Sequence, residues 1–439
     1  MCSTTAPAGG PHVSKTPLNK VKQPIPLTTY LNANYKKVRA AGKLGPDFGL
    51  KTHVPISIYL KSTGTGHIYA GNSVEINGTL HQLDLEECFS GSLIKMAALF
   101  AAYTLLREAD VLRLDMKERV VDVPFAKFFD KLAERVNPAN DALPEIMSAA
   151  RDPKNNIAMA PSLRDIVSIT SLTTAVTFTD DFRAHLRSMI IPSDDCDAAE
   201  CIFRLSYPYI NVKLMNEGYF HRDKRKGIWL CGDYFDKDLC STRTDLKTRG
   251  QAFVRIDTMN DCDQTKHPPF CGSAQNTTSK EMARLFLNIL LRALVVPESS
   301  DEMRSILHEA EHGSPDGTPA PAWPAPAPDR SFLLTKATGS VTRKFRIDGV
   351  KIGQGPIKED HDRGRIEVRS EGLIIIWKGV ADGDPHPDPA LRKKFDDLKL
   401  TGEAAICWQN LPNNIDSDGI IQIINDTISG FIDQAPVTP

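Results

Sequence analysis

The most informative stretch of the chain begins at residue 92, where a serine and a lysine three positions apart open a long apolar run. Large apolar residues then recur at helical spacing with alanines between them: Met96, Leu99, Phe100 and Tyr103. Positions i and i+3 of a helix share a face, so the pattern predicts a helix with Lys95 above Ser92 at its N-terminus. Gly91, directly before, lets the backbone turn sharply into that helix.

Alternating apolar residues predict strands at two distant places, near the start of the chain and near its end. The first group covers residues 54–60 and a hairpin over 67–76, and the second covers residues 331–336, 344–347 and 366–378. The sequence between the two groups has mainly helical periodicity. We therefore expect an α+β fold, an α/β sandwich: an antiparallel sheet built from both chain ends, flanked by helices, with an all-helical lobe inserted.

The same pattern predicts the domain boundaries. Residues 1–26 are expected to form a disordered tail and residues 27–433 a single domain. Its sheet lobe would combine residues 27–110 and 331–433, and residues 111–312 would form the helical lobe. The charged, weakly periodic segment 220–271 is expected to be a loop insertion, and the proline-rich segment 313–328 a stiff loop.

Composition narrows the class of partner. The 53 basic and 55 acidic residues give a formal net charge of −2, so nothing indicates a nucleic-acid surface. No apolar run approaches the length of a membrane span, and the N-terminal residues lack the apolar core of a signal peptide. A nucleic-acid partner is therefore not expected, and the sequence does not fix an oligomeric state.

Nine cysteines bear on the compartment. Cys231 and Cys240 have the same spacing as Cys262 and Cys271, which would suit two looped disulfides in an oxidising compartment. The alternative interpretation is that these cysteines are unpaired buried thiols, and that the protein is cytoplasmic.

Two motifs suggest chemistry. A serine beside a lysine suits nucleophilic catalysis, because a lysine amine can accept the hydroxyl proton when burial disfavours its charged form. His308 and His312 match the H-E-x-x-H zinc spacing, but Gly313 and a proline-rich segment follow at once and no third ligand is evident. We therefore expect no metal and no organic cofactor.

The order of motifs resembles the penicillin-binding and serine β-lactamase superfamily, most closely the class A β-lactamase-related serine hydrolases. That pattern is S-x-x-K, then S-D-N, then K-T-G on a strand. Ser92 to Lys95 matches the first motif, and Ser193-Asp194-Asp195 resembles the second. Residues 276–284 are similar to the helix start that lies between the second and third motifs in the family. The segment from Lys336 to Ser340, with Thr338 and Gly339, resembles the third motif.

The resemblance implies an acyl-transfer site of the β-lactamase/transpeptidase type. Ser92 would be the nucleophile, Lys95 its base and Ser193 a proton relay to the leaving group. Lys336 and Thr338 would bind the carboxylate of a small-molecule or peptide substrate. The backbone N–H of Ser92 and that of Gly339 or Ser340 would form the oxyanion hole. The resemblance also suggests a periplasmic or secreted protein.

Three departures from the family pattern bear on activity. Asp195 stands where the family has an asparagine that helps to hold the substrate and the lysine. A carboxylate beside Lys95 would favour the protonated amine. Lys336 and Gly339 enclose one residue more than K-T-G allows. The stretch just upstream of residue 277 contains no glutamate of the omega-loop type. Its candidate acidic residues are only Asp257, Asp261 and Asp263. Poor β-lactam turnover is therefore expected, and the alternative is a weakly active or inactive binding protein that keeps the fold.

Overall fold

The computed structural model describes residues 25–45, 53–64, 66–118, 123–137, 160–221, 226–230, 276–313, 330–358, 365–380, 384 and 386–434. The strands are β1 (Ile56–Ser62), β2 (His67–Gly71), β3 (Ser73–Ile76), β4 (Thr79–Gln82), β5 (Glu87–Phe89), β6 (Val167–Ser168), β7 (Thr177–Phe178), β8 (Phe220–His221), β9 (Lys226–Gly227), β10 (Asn276–Thr278), β11 (Phe345–Lys358), β12 (Arg365–Trp377) and β13 (Leu400–Pro412).

The helices are α1 (Leu27–Ala40), α2 (Lys95–Lys117), α3 (Phe128–Val136), α4 (Leu163–Ile166), α5 (Asp180–Ile190), α6 (Asp195–Leu205), α7 (Tyr207–Asn216), α8 (Ser279–Leu290), α9 (Pro297–His312), α10 (Phe332–Thr335), α11 (Pro389–Asp397) and α12 (Asp418–Ile432). A 3₁₀ turn, Gly91–Ile94, joins β5 to α2. None of these helices, within the residues described, is long and apolar enough to cross a membrane.

One five-stranded antiparallel sheet, in the order β11-β12-β13-β1-β2, organises the molecule. Its strands come from both ends of the chain, as predicted. Apolar side chains meet across the strands: Ile406 on β13 pairs with Ile58 on β1 and with Leu373 on β12. All three are fully buried, so this row fixes the register, because a slip by one residue would turn it to the other face.

The two faces of the sheet belong to different cores. Ile58, Ile406 and Leu373 pack with α1 and α12 on one face. Ile374, Ala405 and Cys407 point to the other face and pack with α2, α8 and the helical lobe. The helices from α3 to α7 come from the middle of the chain. The predicted α+β arrangement, with a sheet from both chain ends and an inserted helical lobe, is thus confirmed.

Two element predictions were wrong or incomplete. Residues 331–336 do not form a strand; they contain the short helix α10, whose first turn is held by the Ser331 side chain accepting from the Leu333 N–H. The predicted strand at 344–347 is the start of β11, which continues to Lys358. The tail 1–24, most of the insertion 220–271 and nearly all of the proline-rich segment lie outside the described residues.

Candidate active site

Ser92 lies on the 3₁₀ turn between β5 and α2, and its side chain is half-buried. Gly91, the first residue of the turn, has a φ of +52°, which favours glycine. A Cβ atom at Gly91 would lie 2.6 Å from the backbone nitrogen of Gln354 on β11, so the turn touches that strand. Among the described residues the Ser92 hydroxyl has no hydrogen-bond partner. Among these residues, therefore, no hydrogen bond would have to break before the hydroxyl reacts.

Lys95, the first residue of α2, is completely buried. Its ammonium donates to the Ser193 carbonyl at 2.5 Å, to Ser193 Oγ at 3.3 Å and to Asp195 Oδ1 at 2.6 Å. A buried charge needs such partners, since desolvation without them is costly. The predicted contact between Lys95 and the Ser193-Asp194-Asp195 motif is therefore present in the structure.

Ser193 lies in the link between α5 and α6 with a φ of +61°, a conformation that non-glycine residues rarely adopt. The next residue helps to hold it there, because the Asp194 side chain caps α6 by accepting from the Asp197 N–H. The sequence showed the motif but not this left-handed backbone.

A second lysine reaches the same hydroxyl, and the sequence analysis missed it. Lys351 on β11 donates to Ser193 Oγ at 2.5 Å, and only 1% of the residue is exposed. The Ser193 oxygen thus accepts from two lysines, which leaves its own hydroxyl hydrogen available for donation. The signal in the sequence was a lysine followed two residues later by glycine, Lys351 and Gly353, shortly after the strand predicted at 344–347.

The sequence predicted Lys336 as the lysine of the K-T-G motif at this site, and the structure corrects that prediction. Lys336 follows α10 instead of lying on a strand. Thr338 donates through its hydroxyl to Asp418 at the start of α12, and so does Ser340. Ala337 packs in the core shared with α1 and α12, which is on the opposite face of the sheet from α2. Lys336, Thr338, Gly339 and Ser340 are therefore not part of the Ser92 site.

Asp195 is the predicted departure, and it lies where expected. Its carboxylate pairs with Lys95, yet 44% of the side chain is exposed while the lysine side chain is fully buried. A carboxylate at 2.6 Å stabilises the ammonium form of Lys95.

The two histidines of the H-E-x-x-H pattern serve β11. His308 Nδ1 hydrogen-bonds the Asp348 carbonyl and His312 Nε2 the Ile347 carbonyl, both at 2.9 Å. Burial lowers the pKa of His312. Within the described ranges no group of three or more His, Cys, Asp or Glu side chains is placed to hold a metal ion.

Several predicted features fall outside the described residues, including Asp257, Asp261 and Asp263. The four cysteines of the two predicted disulfides also lie there: Cys231, Cys240, Cys262 and Cys271. Elsewhere Cys88 and Cys407 are free and buried, and Cys201 is buried. Cys196, directly after Asp195, is disulfide-bonded.

Comparison with known proteins adds to this picture. Neither a protein-family model nor a curated protein matches the sequence. Matching solved structures include a β-lactamase from Sphaerobacter thermophilus DSM 20745, with 12% identity, TM-score 0.34 and coverage of 94% of this chain and 98% of that one. Other matching structures include β-lactamases and transpeptidase domains.

Two further matching structures have similarly low identities and TM-scores. A β-lactamase from Chitinophaga pinensis DSM 2588 has 11% identity and TM-score 0.38, covering 91% of this chain and 98% of that one. The transpeptidase domain of the FtsI4 D,D-transpeptidase from Legionella pneumophila has 8% identity and TM-score 0.36, covering 93% and 100%. At identities and TM-scores this low, the matches say nothing about the activity of this chain.

Proposed function

We propose that this protein is a serine hydrolase that transfers an acyl group through Ser92, acting on an amide or ester. The observation that carries the proposal is the Ser193 hydroxyl, which accepts from both Lys95 and Lys351. Nucleophilic catalysis by serine needs a nucleophile, a base and a proton donor close together. Ser92, Lys95 and Ser193 offer these three groups within one site.

The chemistry would proceed in two steps. With Lys95 as the neutral amine, Ser92 Oγ attacks the substrate carbonyl and its proton passes to Lys95. The tetrahedral intermediate collapses as Ser193 gives its proton to the leaving group and takes one from Lys95, which returns the lysine to the amine. Water then releases the acyl group and restores the Ser92 hydroxyl. The backbone N–H groups of Ser92 and Gln354 are the proposed oxyanion donors, since the two backbones approach closely at Gly91.

The first experiment tests for the acyl-enzyme itself. Wild-type protein incubated with benzylpenicillin or a fluorophosphonate should gain the mass of one adduct, and Ser92→Ala should gain none. Intact-mass spectrometry measures both, and circular dichroism confirms that the variant is folded. A folded wild type that no acylating probe labels would instead support the non-catalytic binding protein, for which the Lys95–Asp195 ion pair is the supporting observation.

The second experiment separates acylation from turnover. No omega-loop glutamate is recognisable in the sequence to activate the second water, so deacylation should limit the rate. A chromogenic β-lactam should give a burst of about one equivalent followed by a slow phase, as expected when an acyl-enzyme accumulates. Rapid multiple turnover without a burst would mean that another group supplies the missing base.

A further inference from the structure

Of the three charged side chains described at Ser193 and Lys95, Asp195 is partly exposed and the two lysines are buried. The Lys95 side chain is fully buried and Lys351 is 1% exposed, so their ammonium groups are covered. Asp195 has 44% of its side chain exposed. A substrate that approaches Ser92 therefore meets the Asp195 carboxylate more readily than either ammonium group.

The geometry of Asp195 limits what it can bind. Its Oδ1 accepts from Lys95, which leaves the second carboxylate oxygen on the exposed side chain. An ionised carboxylate only accepts hydrogen bonds, so a substrate group that bonds it must be a donor. A charged donor gives the stronger bond, since both partners are then ionised.

We propose that Asp195 selects substrates whose acyl part carries a protonated amine, such as an aminoacyl amide or ester with a free amino group. The inference rests on the proposed acyl transfer at Ser92 and adds the substrate class. It replaces the expected preference for a carboxylate, because Lys336 and Thr338, on which that expectation depended, are on the other face of the sheet. Ile352, the residue after Lys351, is buried in the apolar core and offers no hydroxyl.

A simpler role is that Asp195 only neutralises Lys95. The two roles differ in one measurable respect: neutralising Lys95 affects every acyl donor by the same factor, whereas substrate selection distinguishes donors by their charge. Three penicillins suit the test because they share one nucleus and differ at the side-chain α-carbon. Ampicillin carries an ammonium there, benzylpenicillin a hydrogen and carbenicillin a second carboxylate.

The experiment measures the second-order rate constant for acylation of Ser92 by each penicillin, with intact-mass spectrometry. Wild type should react fastest with ampicillin and slowest with carbenicillin. In Asp195→Asn the ratio of ampicillin to benzylpenicillin should fall by about fivefold, the size expected for a partly exposed ion pair. Asp130→Asn removes the same charge from an exposed ion pair on α3 and should leave the ratios unchanged.

Each other outcome is informative. Equal rates for the three penicillins in wild type, or a uniform change in all three rates in Asp195→Asn, would overturn the selection role while leaving the acyl-enzyme in place. Labelling of folded wild type by none of the three would overturn both the proposed function and this inference. The order of the three acylation rates in wild type needs no variant. It therefore tests the proposal even if Asp195→Asn folds poorly.

Discussion

A close approach of two backbones joins the strand of Lys351 to the turn of Ser92. A Cβ atom built on Gly353 would lie 1.8 Å from the Ser90 carbonyl oxygen and 2.8 Å from the Leu93 nitrogen. No side chain fits in that space, so only glycine lets β11 lie this close to the turn. The distance between Lys351 and the nucleophile therefore depends on a residue that has no side chain.

The Gly353→Ala variant tests this dependence. The added methyl group should push β11 away from the turn, lower the acylation rate by at least about tenfold and cost about 1–3 kcal/mol of stability, as overpacking does. Gly66→Ala is the matched control, because the nearest atom to its Cβ would be Ser62 Cβ at 3.4 Å. Acylation kinetics and urea unfolding measure the two effects. Equal acylation by both variants would show that the close approach is dispensable.

At this scale the sequence located Ser92, Lys95, Ser193 and Asp195, because each pair of partners lies in a short motif whose local structure is predictable. Lys351 was missed because its place at Ser193 depends on strand pairing across the sheet, which no local pattern reveals. Lys336 was chosen because Thr338 and Gly339 follow it, as in the K-T-G motif. After Lys351 the threonine of that motif is replaced by Ile352.

Among the elements, β12 carries an acidic residue through the core. Glu371 is completely buried and accepts from the Phe332 N–H at 3.0 Å, which ties β12 to α10. Burial, together with the nearby Glu311 carboxylate, raises the pKa of Glu371 to about 8. In the folded protein this carboxyl therefore stays protonated over a range of pH in which an exposed glutamate ionises.

This linkage predicts a pH-dependent stability difference. A raised folded pKa gives stability that is complete below the unfolded value near 4.5 and is lost as pH rises through about 8. Glu371→Gln cannot ionise, so it should gain stability relative to wild type across that window, by a few kcal/mol in order of magnitude. Urea unfolding at pH 5, 7 and 9 measures it.

The control for Glu371→Gln is Glu298→Gln, which removes an exposed carboxylate in the first turn of α9. The difference in free energy of unfolding between Glu298→Gln and wild type should not change with pH in the way predicted for Glu371→Gln. If the stability difference between Glu371→Gln and wild type were constant from pH 5 to 9, ionisation of the buried carboxyl would not contribute to the pH dependence of stability.

The helix predicted from apolar spacing after Ser92 is present as α2, Lys95–Lys117. Strand β13 was not identified, although it lies at the centre of the sheet. Its burial on both faces gives a run with weak alternation, and only the pairing with β1 and β12 shows its position.

Over the whole molecule, the site is assembled from three distant parts of the chain. Ser92 and Lys95 follow the first strands, Ser193 and Asp195 come from the helical lobe, and Lys351 comes from the returning strand β11. The fold class followed from the sequence because the strand groups lie at both ends of the chain. Which face of the sheet each late segment occupies did not follow, since it depends on packing between α10, α12 and the sheet.

The most direct test of this assembly compares Lys351→Ala with Lys336→Ala. The second-order rate constant for acylation of Ser92 by benzylpenicillin should fall by about a hundredfold or more in Lys351→Ala, a loss of the size seen for proton-transfer groups. Lys336→Ala should acylate at the wild-type rate. A large loss in Lys336→Ala, with Lys351→Ala folded and unaffected, would contradict the site described for this protein.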